Sequence, residues 1–211
     1  MPDLSPENAF IFRITHRANI PWIAANGLHC MNSNVRDPRF VSIGHADIIE
    51  ARRHWPVPLS PHGTLSDYVP FYFTSHSPMA YNIKTGFRVK QVANSDIVIL
   101  CASLHELQKR AIPFLFTDGH ALMTGTTFYD DLLKLSQIDW PLLQSRNFKR
   151  DLDDLGKFSR YEAEALVHKH LPCDALKGIA CYNDSVANSV RADLEQRGVT
   201  TPVTAWPRWY F

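Results

Sequence analysis

The sequence predicts an α+β fold, and three observations carry that expectation. Segments of strand and helix character follow one another without a regular βαβα alternation. The strand-like segments are short and built on β-branched and aromatic residues, as in FIFRITH (10–16) and YVPFYFT (68–74). None of the nine glycines stands two residues from another, so there is neither a G-x-G-x-x-G turn nor a Walker-type loop. Rossmann and P-loop nucleotide chemistry are therefore disfavoured.

Taken in order, FIFRITH alternates as a strand should and leads into a helix from about Arg17 to Asn26 that Gly27 stops. Residues 32–40 (NSNVRDPRF) carry turn formers and charges without a period and read as a loop. The stretch GHADIIEARRHW (44–55) is helical until Pro56 and Pro58 end it. A turn-rich connection, LSPHGTLSD, delivers the chain into YVPFYFT, a buried strand that Pro70 should place at an edge or a bulge. SPMAYNIKTG (77–86) has the marks of a short helix: Ser77 to cap it, Pro78 at its first position and Gly86 past its end. DIVILCAS (96–103) is a nearly unbroken apolar run.

SLHELQKRA (103–111) reads as a compact helix with Ser103 and Glu106 in capping-box spacing. PFLFTDGH is a strand ending in a turn. From Thr126, TTFYDDLLKLSQI reads as an amphipathic helix with Phe128, Leu132, Leu135 and Ile138 on one face. DWPLLQSRNFKRDLDDLGK (139–157) reads as a charged, irregular linker. SRYEAEALVHKH is locally helix-forming in its Glu and Ala content. KGIACYN, a helix from about Asp184 to Arg197 and a C-terminal aromatic strand ending PRWYF complete the chain. No internal repeat or low-complexity tract is present.

Composition narrows the function. At 211 residues, with 45% hydrophobic and 20% charged residues, the chain can bury a continuous core and is read as one domain, 1–211. A net charge of +1 is not that of a generally basic nucleic-acid binder, so DNA would have to sit in a local groove. The apolar runs fall short of the roughly 20 residues of a membrane span, and MPDLSPENAF lacks a signal-peptide pattern, so no membrane association and a cytoplasmic setting are expected. Cys30, Cys101, Cys173 and Cys181 form no C-x-x-C pair, the ten histidines include no H-E-x-x-H, and H-K-H at 168–170 alternates faces. Neither a metal site nor a disulfide framework is expected.

Six segments in sequence order resemble the DarT family: RITH (13–16), IIEARRHWPVP (48–58), TLSDYVPFYF (64–73), SPMAY (77–81), FLFTDGHA (114–121) and AEALVHKHLP (163–172). The resemblance covers nearly the whole chain, and TLSDYVPFYF followed closely by SPMAY is its most specific part. It implies the ADP-ribosyltransferase fold, a mixed sheet split around an NAD cleft with flanking helices. Against local propensity, it places Ala163 to His168 on a strand that begins near the catalytic glutamate. The implied activity is NAD-dependent mono-ADP-ribosylation of a base in single-stranded DNA, thymine ahead of guanine, by a toxin that blocks replication. NAD is the co-substrate, no metal takes part, and a DarG-type macrodomain antitoxin restrains the enzyme. Transfer to RNA, to a phosphate terminus or to protein remains open, because a fold does not fix its acceptor. A non-catalytic nucleic-acid-binding module is the alternative from another class.

The resemblance makes Glu164 catalytic, with Glu162 its near neighbour. A carboxylate there can bond the nicotinamide-ribose 2′-hydroxyl and stabilise oxocarbenium-like charge. The family arginine falls on Arg52, with Arg53 adjacent. Its fork suits the NAD diphosphate or an acceptor base, and it orients and stabilises rather than acting as a base. Thr15, His16, Tyr72, Ser77 and Tyr81 are expected around NAD, with Arg13 standing where some relatives have histidine. His120 faces the DNA acceptor, and His76, Arg53, Arg146, Lys149 and Arg150 are candidate DNA contacts.

Overall fold

The computed structural model describes residues 3–211. The apolar run forms β4 (Ile97–Ser103), all seven of whose residues are buried. A strand without polar alternation needs cover on both faces, and β4 lies inside the sheet between β1 (Phe10–His16) and β9 (Gly178–Cys181). The other strands are β3 (Tyr68–Tyr72), β5 (Phe114–Thr117), β6 (Phe128–Tyr129), β7 (Glu164–His168) and β10 (Val203–Ala205), in the order β10-β9-β4-β1-β3-β7-β5-β6. Neighbours are antiparallel except β9 and β10, which are parallel. A separate ribbon pairs β2 (Leu28–His29) with β8 (His170–Leu171).

Helices cover the sheet. α1 (Ile20–Asn26) buries Ile20, Ile23 and Ala24, and packs against α7 (Asp184–Glu195), whose Val186, Ala187, Val190 and Leu194 make one apolar stripe. The remaining helices are α2 (Ala46–Arg52), α3 (Pro78–Thr85), α4 (Leu104–Lys109), α5 (Trp140–Ser145) and α6 (Lys157–Tyr161). α3 has the ends its residues announce: Ser77 accepts from the Ala80 N–H, and Gly86 closes the helix at φ +75°. All four cysteines are buried free thiols.

The sheet is split in the middle. β1 pairs with β4 from Phe10↔Ser103 to His16↔Ile97 but meets β3 only at Phe12↔Tyr72. Pro70 shows why. It is not on an outer edge as expected: β3 is a central strand, paired with β7 from Tyr68↔His168 to Tyr72↔Glu164. The Pro70 carbonyl accepts from Arg13 Nη1 at 2.8 Å, across the gap to β1. Backbone N and O of a strand residue point the same way, so the donor that proline lacks also faces that gap. β3 thus has an internal edge, and no hydrogen bond is forfeited there.

Five expectations need correction. The helix read over 44–55 ends at Arg52, before the prolines. Ser103 does not cap α4, because its hydroxyl donates to the Asn8 carbonyl at 2.8 Å and its residue completes β4. Thr126 to Ile138 is not one helix. Asp118 accepts from the Thr127 N–H and the Tyr129 hydroxyl, Phe128 and Tyr129 join β5, and only 132–137 coil, as a 3₁₀ helix. The linker 139–157 contains α5, capped by Asp139 and burying Trp140 and Leu143. At the C-terminus only Val203–Ala205 is strand, while Trp206 stacks on Trp209.

TLSD, just before β3, is a capping box. The Thr64 N–H and hydroxyl donate to one Asp67 oxygen, and Lys169, in the turn between β7 and β8, donates to the other. Burial opposes ionisation of Asp67, but Lys169 and the Thr64 N–H hold its carboxyl far below the usual range. That stabilisation is complete above about pH 4 and fades as pH falls further. Asp67→Asn is expected to cost about 1–2 kcal/mol in urea unfolding at pH 7 and less as the pH drops below about 4.

Candidate active site

Glu164 opens β7, directly opposite Tyr72 of β3. Strand alternation sets its face: Ala165 and Val167 enter the main core, whereas Leu166 joins Tyr68, Leu115, Leu65, Val57 and Ala121 in a second cluster. Glu164 shares the second face and is buried there, with one hydrogen bond to each carboxylate oxygen. Oε2 accepts from Arg52 Nη1 at 2.8 Å, and Oε1 accepts from the Ala121 N–H at 3.0 Å. Its own N–H donates to Thr117 Oγ1 at 3.1 Å, and that hydroxyl donates to the Gly119 carbonyl at 2.7 Å. Burial works against the charge, but the Arg52 guanidinium, then His120 and the Ala121 N–H, outweigh it and hold the carboxyl below its ordinary value.

Arg52 is the only residue of α2 that is buried, and its side chain is the helix's link to β7. Arg53 points outward to Glu50 at 3.2 Å, so the choice between the two arginines is made by helix phase. Glu162 is likewise told apart from Glu164. It makes no ion pair among the described residues, it does not line the cavity below, and burial followed by the charge of Glu164 pushes it up to about 8.

Arg52 and Glu164 stand in the wall of a cavity of about 410 Å³. Thr15 and Tyr72, expected around NAD, and His120, expected to face the DNA acceptor, line it. Residues 30–45, of which 32–40 read as a loop from the sequence, supply one wall through Met31, Phe40 and His45. Asn19 latches that segment: its amide exchanges two bonds with the Val41 backbone, at 2.8 and 2.9 Å, and donates to Thr15 Oγ1 at 3.0 Å. His120 Nδ1 accepts from the Leu122 N–H at 3.2 Å, which leaves Nε2 as the ring's donor. Burial is the largest influence on its pKa and lowers it, so His120 is a neutral N–H donor at pH 7.

Arg13 was recognised in the sequence only as a departure from relatives, and it lines the cavity. It has no carboxylate partner among the described residues, its Nε–H is buried without an acceptor, and so is Nη2 of Arg52. Burial, then the like charge of Arg52, pushes Arg13 down to about 10. Two buried guanidiniums with orphaned donors beside one carboxylate leave the cavity with excess positive charge. Thr117 and Ala121 were missed as well. The D-G turn in FTDGHA was their signal, since a tight turn after a strand aims backbone amides back at the sheet.

Other expected residues lie elsewhere. His16 accepts from the Ala18 N–H, Ser77 caps α3, and Tyr81 packs on Phe148 and Phe211; none of the three lines the cavity. His76 is buried with its ring against Phe211, and burial brings it down to about 4, so it is not a surface phosphate contact. Arg146, Lys149 and Arg150 lie on an exposed stretch after α5, with Arg150 over the Phe158 ring at 5.0 Å. Among the described residues, no group of three or more His, Cys, Asp or Glu is placed to hold a metal, and no helix is long and apolar enough to cross a membrane.

Residues 12–211 match the family model described as DarT, ssDNA thymidine ADP-ribosyltransferase. A DNA ADP-ribosyl transferase of Escherichia coli O127:H6 (strain E2348/69 / EPEC) is 48% identical over 209 residues, 99% of this chain and 96% of the relative. Thermus sp. 2.9 DarT in complex with ADP-ribosylated ssDNA superposes with a TM-score of 0.89 at 32% identity over 98% of each chain. The same protein in complex with NAD+ gives 0.85 at 30% identity, over 98% of this chain and 99% of the other. The split mixed sheet with a buried Arg–Glu pair is thus that of an ADP-ribosyltransferase. Within that class, this chain belongs to the DarT family.

Glu162 offers a pH test. Its folded-state pKa is raised, so its contribution to stability is complete below about pH 4.3 and is lost as pH rises towards about 8. Thermal unfolding followed from about pH 5 to about pH 9 should show the loss, and Glu162→Gln should flatten it.

Proposed function

We propose that this chain cleaves NAD at the nicotinamide ribose and transfers ADP-ribose to a thymine ring nitrogen in single-stranded DNA. The observation that carries the reading is the ionised Glu164, fixed by Arg52 and the Ala121 N–H at the wall of the cavity. The glycosidic bond to nicotinamide breaks with its electron pair leaving on nicotinamide. A thymine imide nitrogen supplies the pair for the new bond to C1′ and gives up its proton to solvent water. That nitrogen is occupied in a Watson–Crick pair, which accounts for a single-stranded acceptor.

The residues fit NAD. Glu164 can accept from the ribose 2′-hydroxyl and stabilise positive charge at C1′. The orphaned donors of Arg13 and Arg52 call for an anion, and a diphosphate meets both. Trp22, Phe40 and Tyr72 offer ring faces and edges to the flat ends of the dinucleotide. A guanidinium cannot take up the acceptor proton, so Arg52 holds Glu164 and stabilises charge. His120, as a neutral donor, suits a base carbonyl or a phosphate. Arg146, Lys149 and Arg150 supply countercharge to the strand.

Family membership supports residues 1–211 acting as one transferase domain, a cytoplasmic toxin whose product stalls replication, and a DarG-type macrodomain protein as its antitoxin.

The test is mass spectrometry of mixed-sequence DNA and RNA single strands incubated with NAD. An added ADP-ribose on thymine is expected, falling about 100-fold or more with Glu164→Gln. Modification of RNA alone would redirect the acceptor, and absence of nicotinamide release would end the enzyme reading. In the same assay Arg13→Met should raise KM for NAD about tenfold while kcat changes less.

A further inference from the structure

Charge is unevenly distributed along this nearly neutral chain. Segments 68–95 and 140–150 contain no aspartate or glutamate, yet together hold Lys84, Arg88, Lys90, Arg146, Lys149 and Arg150. Many other cations are tied to carboxylates, as Arg53 is to Glu50, Arg110 to Glu106 and Arg160 to Asp139 and Asp154. Lys84, Arg88, Lys90, Lys149 and Arg150 make no ion pair with any described residue. Aromatic contacts join the two segments. Tyr81 of α3 lies 5.7 Å from Phe148 and 5.4 Å from Phe211, and Phe148 lies 6.0 Å from Phe211. Tyr81 is 44% exposed and Phe87, with Arg88 stacked over it, is 59% exposed.

α3 follows β3 closely and Met79 in its first turn lines the cavity, while Tyr81, two residues on, is turned to the other, outer side of the helix, so that α3 stands between the cavity and the face. We propose that this outer face, α3 with its C-terminal loop and the 146–150 stretch, is a second contact surface for single-stranded DNA, holding nucleotides that flank the modified base. The inference rests on the reading of the chain as a DNA-modifying transferase. Its chemistry is the pairing that single strands favour: exposed rings on which bases stack regardless of sequence, interleaved with cations that track phosphates. A duplex has its base faces stacked away and could use only the cations.

Steady-state modification of oligonucleotides of about 5 and about 20 nucleotides, each with one thymine, separates the face from the site. The enzymes compared are the wild type, Lys84→Glu/Arg88→Glu and Tyr81→Ala/Phe87→Ala, all first shown to release nicotinamide from NAD equally and to unfold at the wild-type temperature. Both variants should raise KM for the long strand about tenfold and leave kcat and the short strand unchanged. The charge variant should also show a shallower dependence of long-strand KM on salt. An unchanged long-strand KM, or an equal loss on both strands, would overturn the second surface while leaving the transferase reading intact. A wild-type enzyme that releases nicotinamide but modifies neither strand would sink both.

Discussion

The buried Arg52–Glu164 pair is the constraint around which the rest of the fold is arranged. Side-chain exposures of 11% and 3% put both charges largely out of water. The desolvation cost of such a pair is recovered only when the geometry is good and the remaining polar atoms are bonded. α2, with little else buried, serves to bring the guanidinium in. The turn after β5 brings the Ala121 amide to the second carboxylate oxygen, and Thr117 fixes the backbone at the strand's first residue. Three distant stretches of chain are thereby committed to one carboxylate.

The split between β1 and β3 makes room for that arrangement without leaving a costly edge. Pro70 has no donor to lose on the open side, and its carbonyl is satisfied by Arg13. The same device introduces a second buried cation, so the cavity carries more positive than negative charge and two unsatisfied guanidinium donors. A protein selected for stability alone would not keep these groups unpaired. On the function proposed above, an anion between Arg13 and Arg52 would meet that deficit, with a group next to it that Glu164 can bond.

Net charge is a poor guide to where such a protein meets nucleic acid. The value of +1 averages two segments without aspartate or glutamate, 68–95 and 140–150, with a remainder in which cations and carboxylates offset one another. Only their positions in space reveal a local field, because screening confines each charge to its neighbourhood, about 8–10 Å at physiological salt.

Much of the molecule was legible in the residues themselves. The bounds of β1, α3 and β4 follow from alternation, from Ser77, Pro78 and Gly86, and from an unbroken apolar run, all of them local physics. Where two local tendencies competed, the sequence was ambiguous: Phe128 and Tyr129 could complete a helical stripe or pair with β5, and Asp118 decided the matter from nine residues or more away. The motifs singled out Glu164, Arg52 and His120, but not how they meet. Arg52 and Glu164 are 112 positions apart. Which arginine enters, which glutamate ionises, that Arg13 joins them and that Tyr81 and His76 stay out depend on helix phase, strand alternation and burial. Those are properties of the packed chain, since the energy of a charge is set by what surrounds it in space and not by what precedes it in sequence.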